Sequence, residues 1–244
     1  MSARITLATA RRIWAQLRHD HRTVGMLLVV PAVLVVLLRY VFDSEQAFDR
    51  VAPSLLGIFP LVIMFLVTSI ATLRERTSGT LERLMTMPMG KLDLLFGYAL
   101  AFGLIALVQV GIVAVITVTW LGLDIAGSLV MLLVVAVLDA LLGMALGLFV
   151  SAFARTEFQA VQFLPVVVLP QVLLCGLFTP RPAMAGWLEA ISNVLPMSYA
   201  VEAMNQVTAS ADISGDLIRD IVIVAGCGVL ALILGAATLQ RRTP

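Results

Sequence analysis

A chain of 244 residues has the length of one or two soluble domains, but 61% of it is hydrophobic and only 13% is charged. Its mean hydropathy is +1.04, which excludes a water-soluble globular fold and points to a membrane protein. The formal net charge of +1 conceals a lopsided distribution of Lys and Arg. No basic and aromatic stripe suggests nucleic acid.

Six runs, at 24–42, 55–73, 94–120, 128–150, 161–178 and 221–239, are long enough to cross a hydrocarbon core of ~30 Å, which takes roughly 20 helical residues. They are continuously apolar, whereas barrel strands alternate, so an all-α bundle is expected. No linker divides it, and 1–244 reads as a single transmembrane domain.

Ahead of the first run, Leu7, Ala10, Ile13, Trp14 and Leu17 recur at helical spacing with Arg4, Arg12, Gln16 and His19 outside their arc. This predicts an amphipathic helix on the membrane surface with Trp14 at headgroup depth. The first run follows some twenty polar and basic residues without a small-residue cleavage site and reads as a retained span. The acidic connection 43–53 is too short for a domain.

After the second run comes RERTSGTLERLMTMPMGKLD, with seven charged residues in twenty. The second helix is expected to continue through Arg74, Glu75 and Arg76 and to stop at Gly79. A short helix then runs from Thr80 to Met87, with Leu81, Leu84 and Met85 on an apolar face and Glu82 and Arg83 beside it. Pro88 ends it and Gly90 turns the chain into the third run. An apolar face in such a loop needs a cover, and a partner protein is the simplest one.

Asp139 falls in the middle of the fourth run, where an ionised carboxylate must be neutralised, paired or wetted. The expected arrangement is a hydrogen bond to a neighbouring helix through Gln109, with lining of a substrate path as the other reading. Gln162 and Gln171, with Pro165 and Pro170, interrupt the fifth run. Between the fifth and sixth runs, 183–192 and 199–207 are too short to span yet too apolar for a solvated loop, and predict a re-entrant helical hairpin wedged by Trp187 and Tyr199.

Twelve of the sixteen Lys and Arg residues precede the first run, follow the second, fourth or sixth, and so share one side. The rule that Lys and Arg collect at the cytoplasmic face places both termini and the Arg74–Asp93 segment in the cytoplasm. No G-x-x-x-x-G-K-[ST] occurs, so the chain lacks that route to ATP. His19 and His21 both precede the first run, and Cys175 and Cys227 lie in apolar runs without CxxC spacing, so no catalytic or metal site is expected.

Arg74-Glu75-Arg76-Thr77-Ser78-Gly79-Thr80-Leu81-Glu82 resembles the R-E-R-x-x-G-T-L-E segment of type 2 ABC export permeases, the daunorubicin-resistance and polysaccharide-export family. A second signature of that family is similar to Cys175 through Pro180, Trp187, and Asn193 through Glu202 with Pro196 and Tyr199. Thr77, Cys175 and Ala185 depart from its commoner residues. The resemblance implies a permease subunit, not itself an enzyme, in the cytoplasmic (inner) membrane. It implies a second permease copy and two cytosolic ABC ATPase subunits that hold ATP and Mg. It also implies that Arg74 to Arg83 couple to the ATPase and that the hairpin caps the outer side of a path for a hydrophobic drug, a lipid or a lipid-linked glycan. A proton-coupled transporter using Asp139 is the alternative, although paired broken helices at matching positions of two halves are missing. A non-transporting membrane scaffold is a third reading.

Overall fold

The computed structural model describes residues 3–80 and 90–238. Among them the regular structure is helical. The helices are α1 (Ala3–His19), α2 (His21–Phe42), α3 (Glu45–Thr77), α4 (Lys91–Val115, continued by a π turn Ile116–Trp120), α5 (Leu129–Val150), α6 (Glu157–Val167), α7 (Leu169–Leu174), α8 (Gly186–Ser192), α9 (Pro196–Ala209) and α10 (Gly215–Thr238). Five stretches are long and apolar enough to cross a membrane: Glu45–Thr77, Asp93–Trp120, Leu129–Val150, Glu157–Leu174 and Gly215–Thr238. The first expected span corresponds to α2, whose apolar part Leu27–Phe42 is shorter, so the count of six rests on that helix.

The bundle is built on α3. In its apolar window 61% of residues are buried, against 17% for α6 with α7 and 17% for α10, so the last two face outward. Thirty-three residues make a rod of about 50 Å, longer than the hydrocarbon core. The connection expected at 43–53 is therefore mostly helix: Ser44 caps the start by accepting the Ala47 N–H at 3.4 Å.

The tightest packing is between α3 and α5. A Cβ on Gly143 would lie 2.2 Å from the Leu61 carbonyl oxygen, and one on Gly147 2.4 Å from that of Phe65. Two glycines four apart thus put backbone against backbone, the small-residue device by which membrane helices gain van der Waals contact without a hydrophobic driving force. The C-terminal part of α10 packs on the same helix through Gly235, beside Leu148.

The expected fifth span is broken. α6, capped by Thr156 accepting the Gln159 N–H at 3.2 Å, ends at Val167, and α7 begins at Leu169. Pro170 has no N–H to continue the ladder. Gln171 Nε2 donates to the Val167 carbonyl at 2.9 Å across the break. Beyond α7, α8 and α9 form the expected hairpin, α9 starting at Pro196 as a first-turn proline. Ala126 and Gly127 donate to the Thr208 and Val207 carbonyls at 3.0 and 3.1 Å, fastening the α4–α5 connection to the end of α9.

The expected apolar stripe of α1 is divided between two surroundings. Thr9, Ala10 and Ile13 are buried, and a Cβ on Gly97 of α4 would come within 2.6 Å of Thr9. Leu7 and Trp14 are exposed instead. The helix therefore docks on α4 through Thr9, Ala10 and Ile13, with Thr9 at the close approach to Gly97.

Candidate functional site

At one end of the bundle the end of α3 meets α1, the starts of α4 and α6 and the end of α10. The three consecutive residues Arg74, Glu75 and Arg76 join all of them. Arg74 forks onto Glu157 at the start of α6, with Nε to Oε1 at 2.6 Å and Nη2 to Oε2 at 3.0 Å. Glu75 pairs with Arg12 of α1 at 3.0 Å and accepts the Tyr98 hydroxyl of α4. Arg76 donates to Thr238 Oγ1 of α10 at 3.1 Å. Residues i, i+1 and i+2 of a helix point about 100° apart, which is why neighbours in sequence reach three sides of the bundle. Beside Glu75 a cavity of about 410 Å³ opens between α1, α3 and α4, lined by Ile13, Gln16, Asp20, Val67, Tyr98 and Phe102 among others.

α3 then stops as expected. Ser78 donates its N–H to Arg74 O at 2.9 Å, and Gly79 takes φ +70°, the left-handed geometry that closes helices. Thr80 is tied to Ser78 through their hydroxyls at 2.9 Å. The short helix expected up to Met87, with Leu81, Glu82 and Arg83, lies outside the described residues.

At the other end the hairpin is organised by a residue that the sequence reading counted only as a basic charge. Arg181, in a single 3-10 turn, donates to Glu202 of α9 and to the Asn193 side chain between α8 and α9. Its guanidinium lies 5.1 Å from the Tyr199 ring centre, and the Tyr199 hydroxyl donates to the Asn193 carbonyl at 2.6 Å. Asn193, Tyr199 and Glu202 of the N-x-x-P-x-x-Y-A-x-E stretch thus converge on one arginine, with Pro196 starting the helix that carries two of them. Trp187 does not join them. It is 67% exposed on α8, while Tyr199 lies against the Arg181 guanidinium. The family model described as ABC-2 type transporter matches residues 4–208, which takes in the Arg181 cluster and all of the Arg74–Arg76 cluster except Thr238.

The chain belongs to the ABC-2 type transporter family.

Its similarity extends to named permeases. It is 30% identical over 166 residues to Probable multidrug ABC transporter permease YbhR of Escherichia coli (strain K12), covering 67% of this chain and 45% of that one. It is 24% identical over 206 residues to Probable multidrug ABC transporter permease YbhS of the same strain, covering 84% and 55%. Over 164 residues it is 27% identical to ABC transporter G family member 20 of Dictyostelium discoideum, covering 67% and 22%. The chain spans about half the length of the two bacterial relatives and about a fifth of the third. This ABC-2 permease is a multi-pass membrane protein.

The intramembrane polar residues of the permease are not brought into one site. Asp139 and Gln109 are both fully buried, and neither carboxylate oxygen of the one nor either amide atom of the other has a hydrogen-bond partner among the described residues. The expected Asp139–Gln109 hydrogen bond is absent. Asp139 instead faces Gly57 of α3, where an added Cβ would lie 3.5 Å from Oδ2 and 3.5 Å from Met204 of α9. Arg39 is engaged elsewhere, with Glu45 at 3.3 Å. Gln171 is buried and bonded within its own helix pair, whereas Gln162 is exposed on α6. A second buried carboxylate, Asp220 of α10, accepts from Gln206 of α9 at 3.1 Å and from Arg219 at 2.9 Å. Its neighbour Arg219 was a sequence signal for such a pair.

Proposed function

We propose that the chain is the permease subunit of an ATP-driven exporter in the cytoplasmic membrane, working with a second permease copy and two cytosolic ABC ATPase subunits that bind ATP and Mg. The observation that carries this reading is the clasp of Arg74, Glu75 and Arg76. The segment after Gly79 is where an ATPase would push, and the three residues before it hold α1, α4, α6 and α10 to the end of α3. A displacement entering there is delivered to most of the bundle at once. The clasp end is the cytosolic one, as the concentration of Arg and Lys supports, and the hairpin caps the outer end of the path. The second copy packs along α6 and α7, which leave Phe158, Val161, Val166, Leu169 and Leu173 exposed at intervals of three to five residues. The multidrug names of the two bacterial relatives favour a hydrophobic drug as cargo over a lipid or a lipid-linked glycan.

Two measurements test it. The tagged chain should copurify with a soluble protein carrying a P-loop, whose ATP hydrolysis rises on adding cargo. In a background without Cys175 and Cys227, a cysteine at Ser78 should react with an impermeant thiol reagent only in inside-out vesicles, and one at Asp212 only in right-side-out vesicles. Transport that persists without any ATPase and collapses with the proton gradient would overturn the reading.

A further inference from the structure

α1 has two unlike faces. The buried one, Thr9, Ala10 and Ile13, is docked on α4. On the other, Arg4, Leu7, Arg11, Trp14 and Arg18 follow one another at intervals of three and four residues, and all five are exposed. At 100° per residue these positions fall within an arc of about 80°, so arginine and apolar side chains alternate along one narrow stripe. The helix contains no Asp or Glu, leaving the stripe without internal neutralisation. Beneath its C-terminal half a cavity of about 120 Å³ lies between α1, α2 and α4, rimmed by Trp14 and Arg18 and walled by Val24, Leu27, Ile105 and Val108. Among the described residues, the side chains lining it apart from Arg18 are apolar or aromatic.

We infer that this groove and stripe form a binding site for one anionic phospholipid. An acyl chain lies along Leu27, Ile105 and Val108. The phosphate is held between Arg11 and Arg18, one face of the helix and two turns apart, with the Trp14 indole at the glycerol level, where amphipathic rings settle. A zwitterionic lipid would satisfy the groove equally but not the stripe, because only a net negative headgroup gains from several guanidinium groups that have no ion-pair partner among the described residues. The site also touches the clasp: Arg12, adjacent to Arg11, turns to the opposite side and pairs with Glu75. A bound lipid that seats α1 therefore also holds the Arg12–Glu75 contact in place.

The inference depends on the chain being a membrane protein and not on any ATPase, so it is tested on the permease alone. Purified chain is exposed to equal amounts of phosphatidylglycerol and phosphatidylcholine and examined by native mass spectrometry. About one phosphatidylglycerol per chain should be retained, at least about five-fold over phosphatidylcholine, an excess that falls as salt rises. Arg11→Gln with Arg18→Gln should abolish that preference, whereas Arg11→Lys with Arg18→Lys should keep most of it and serve as the control for folding. Val108→Trp should fill the groove and lower retention of both lipids with the arginines intact. An undiminished preference in the glutamine variant overturns the site. Unchanged retention in Val108→Trp reduces it to diffuse surface attraction and overturns the groove. A shift of the Val108→Trp spectrum from paired to single chains would assign the face to a second copy instead.

Discussion

The clasp at one end of the bundle and the Arg181 lock at the other use the same chemistry, arginine against carboxylate and amide or hydroxyl oxygen, but they tie together very different lengths of chain. Arg74 reaches a residue 83 positions away and Arg76 one 162 positions away, whereas Arg181 finds Glu202 within 21 and Asn193 within 12. A local lock keeps one hairpin in shape. A clasp between distant helices makes their relative positions interdependent, which is what passing a motion from one end of a bundle to the other requires. The difference teaches that an arginine pair has to be judged by what it joins and not by its strength.

The largest effect should come from Glu75→Arg. It removes the acceptor shared by Arg12 and Tyr98 and sets two guanidinium groups against each other in a partly buried site, where hydrogen bonds to a charged group are worth ~1.5–3 kcal/mol. The complex should still assemble while cargo stimulation of ATP hydrolysis falls about ten-fold or more, read as stimulated over basal rate. Normal stimulation would reduce the clasp to a structural brace.

Arg181→Met should be milder and of another kind. Glu202, Asn193 and Tyr199 lose their common partner, but the outer location lets water replace much of the contact, so the expected cost is ~1–2 kcal/mol, confined to the hairpin. Export should fall a few-fold with basal ATP hydrolysis unchanged. Loss of ATPase stimulation in this variant would erase the distinction between the two ends.

Within the clasp itself Arg74–Glu157 should count for least, since its side chains are 60% and 51% exposed. A double-mutant cycle with Arg74→Gln and Glu157→Gln, read by thermal stability, should give a coupling of ~0.2–1 kcal/mol that shrinks in high salt. A coupling as large as that of Arg12 with Glu75 would contradict the ranking. The smallest effect should be that of Trp187→Ala, because two-thirds of that side chain is already exposed. Export should stay near normal, and a drop comparable to that of Arg181→Met would restore Trp187 to the hairpin core.

Much of the site could be read from order along the chain. The Gly79 stop, the continuation of α3 through Arg74 to Arg76 and the hairpin after the fifth span each follow from local signals: a glycine able to take positive φ, a helical run with charges only at its end, and apolar pieces too short to span. Which oxygen each arginine would meet could not be read. The docking of α1 could not be read for the same reason: that Ala10 and Ile13 of the expected stripe, with Thr9, turn to α4 depends on Gly97, eighty-eight residues from Thr9. Asp139 drew a hydrogen-bond partner from Gln109 by depth alone, and depth does not set the rotation of a helix about its axis.

By itself, then, the sequence determined the solvent and the helical class, because apolar run length is a property of single segments against a membrane. Only the tertiary structure decided that α3 is central, that Gly143 and Gly147 let α5 touch its backbone, and that three adjacent charged residues address different helices. Those outcomes depend on how helices rotate and cross. In a membrane, where lipid is as apolar as the side chains, that choice is made by close packing and by the few polar contacts available, both of which exist only once the partners have met.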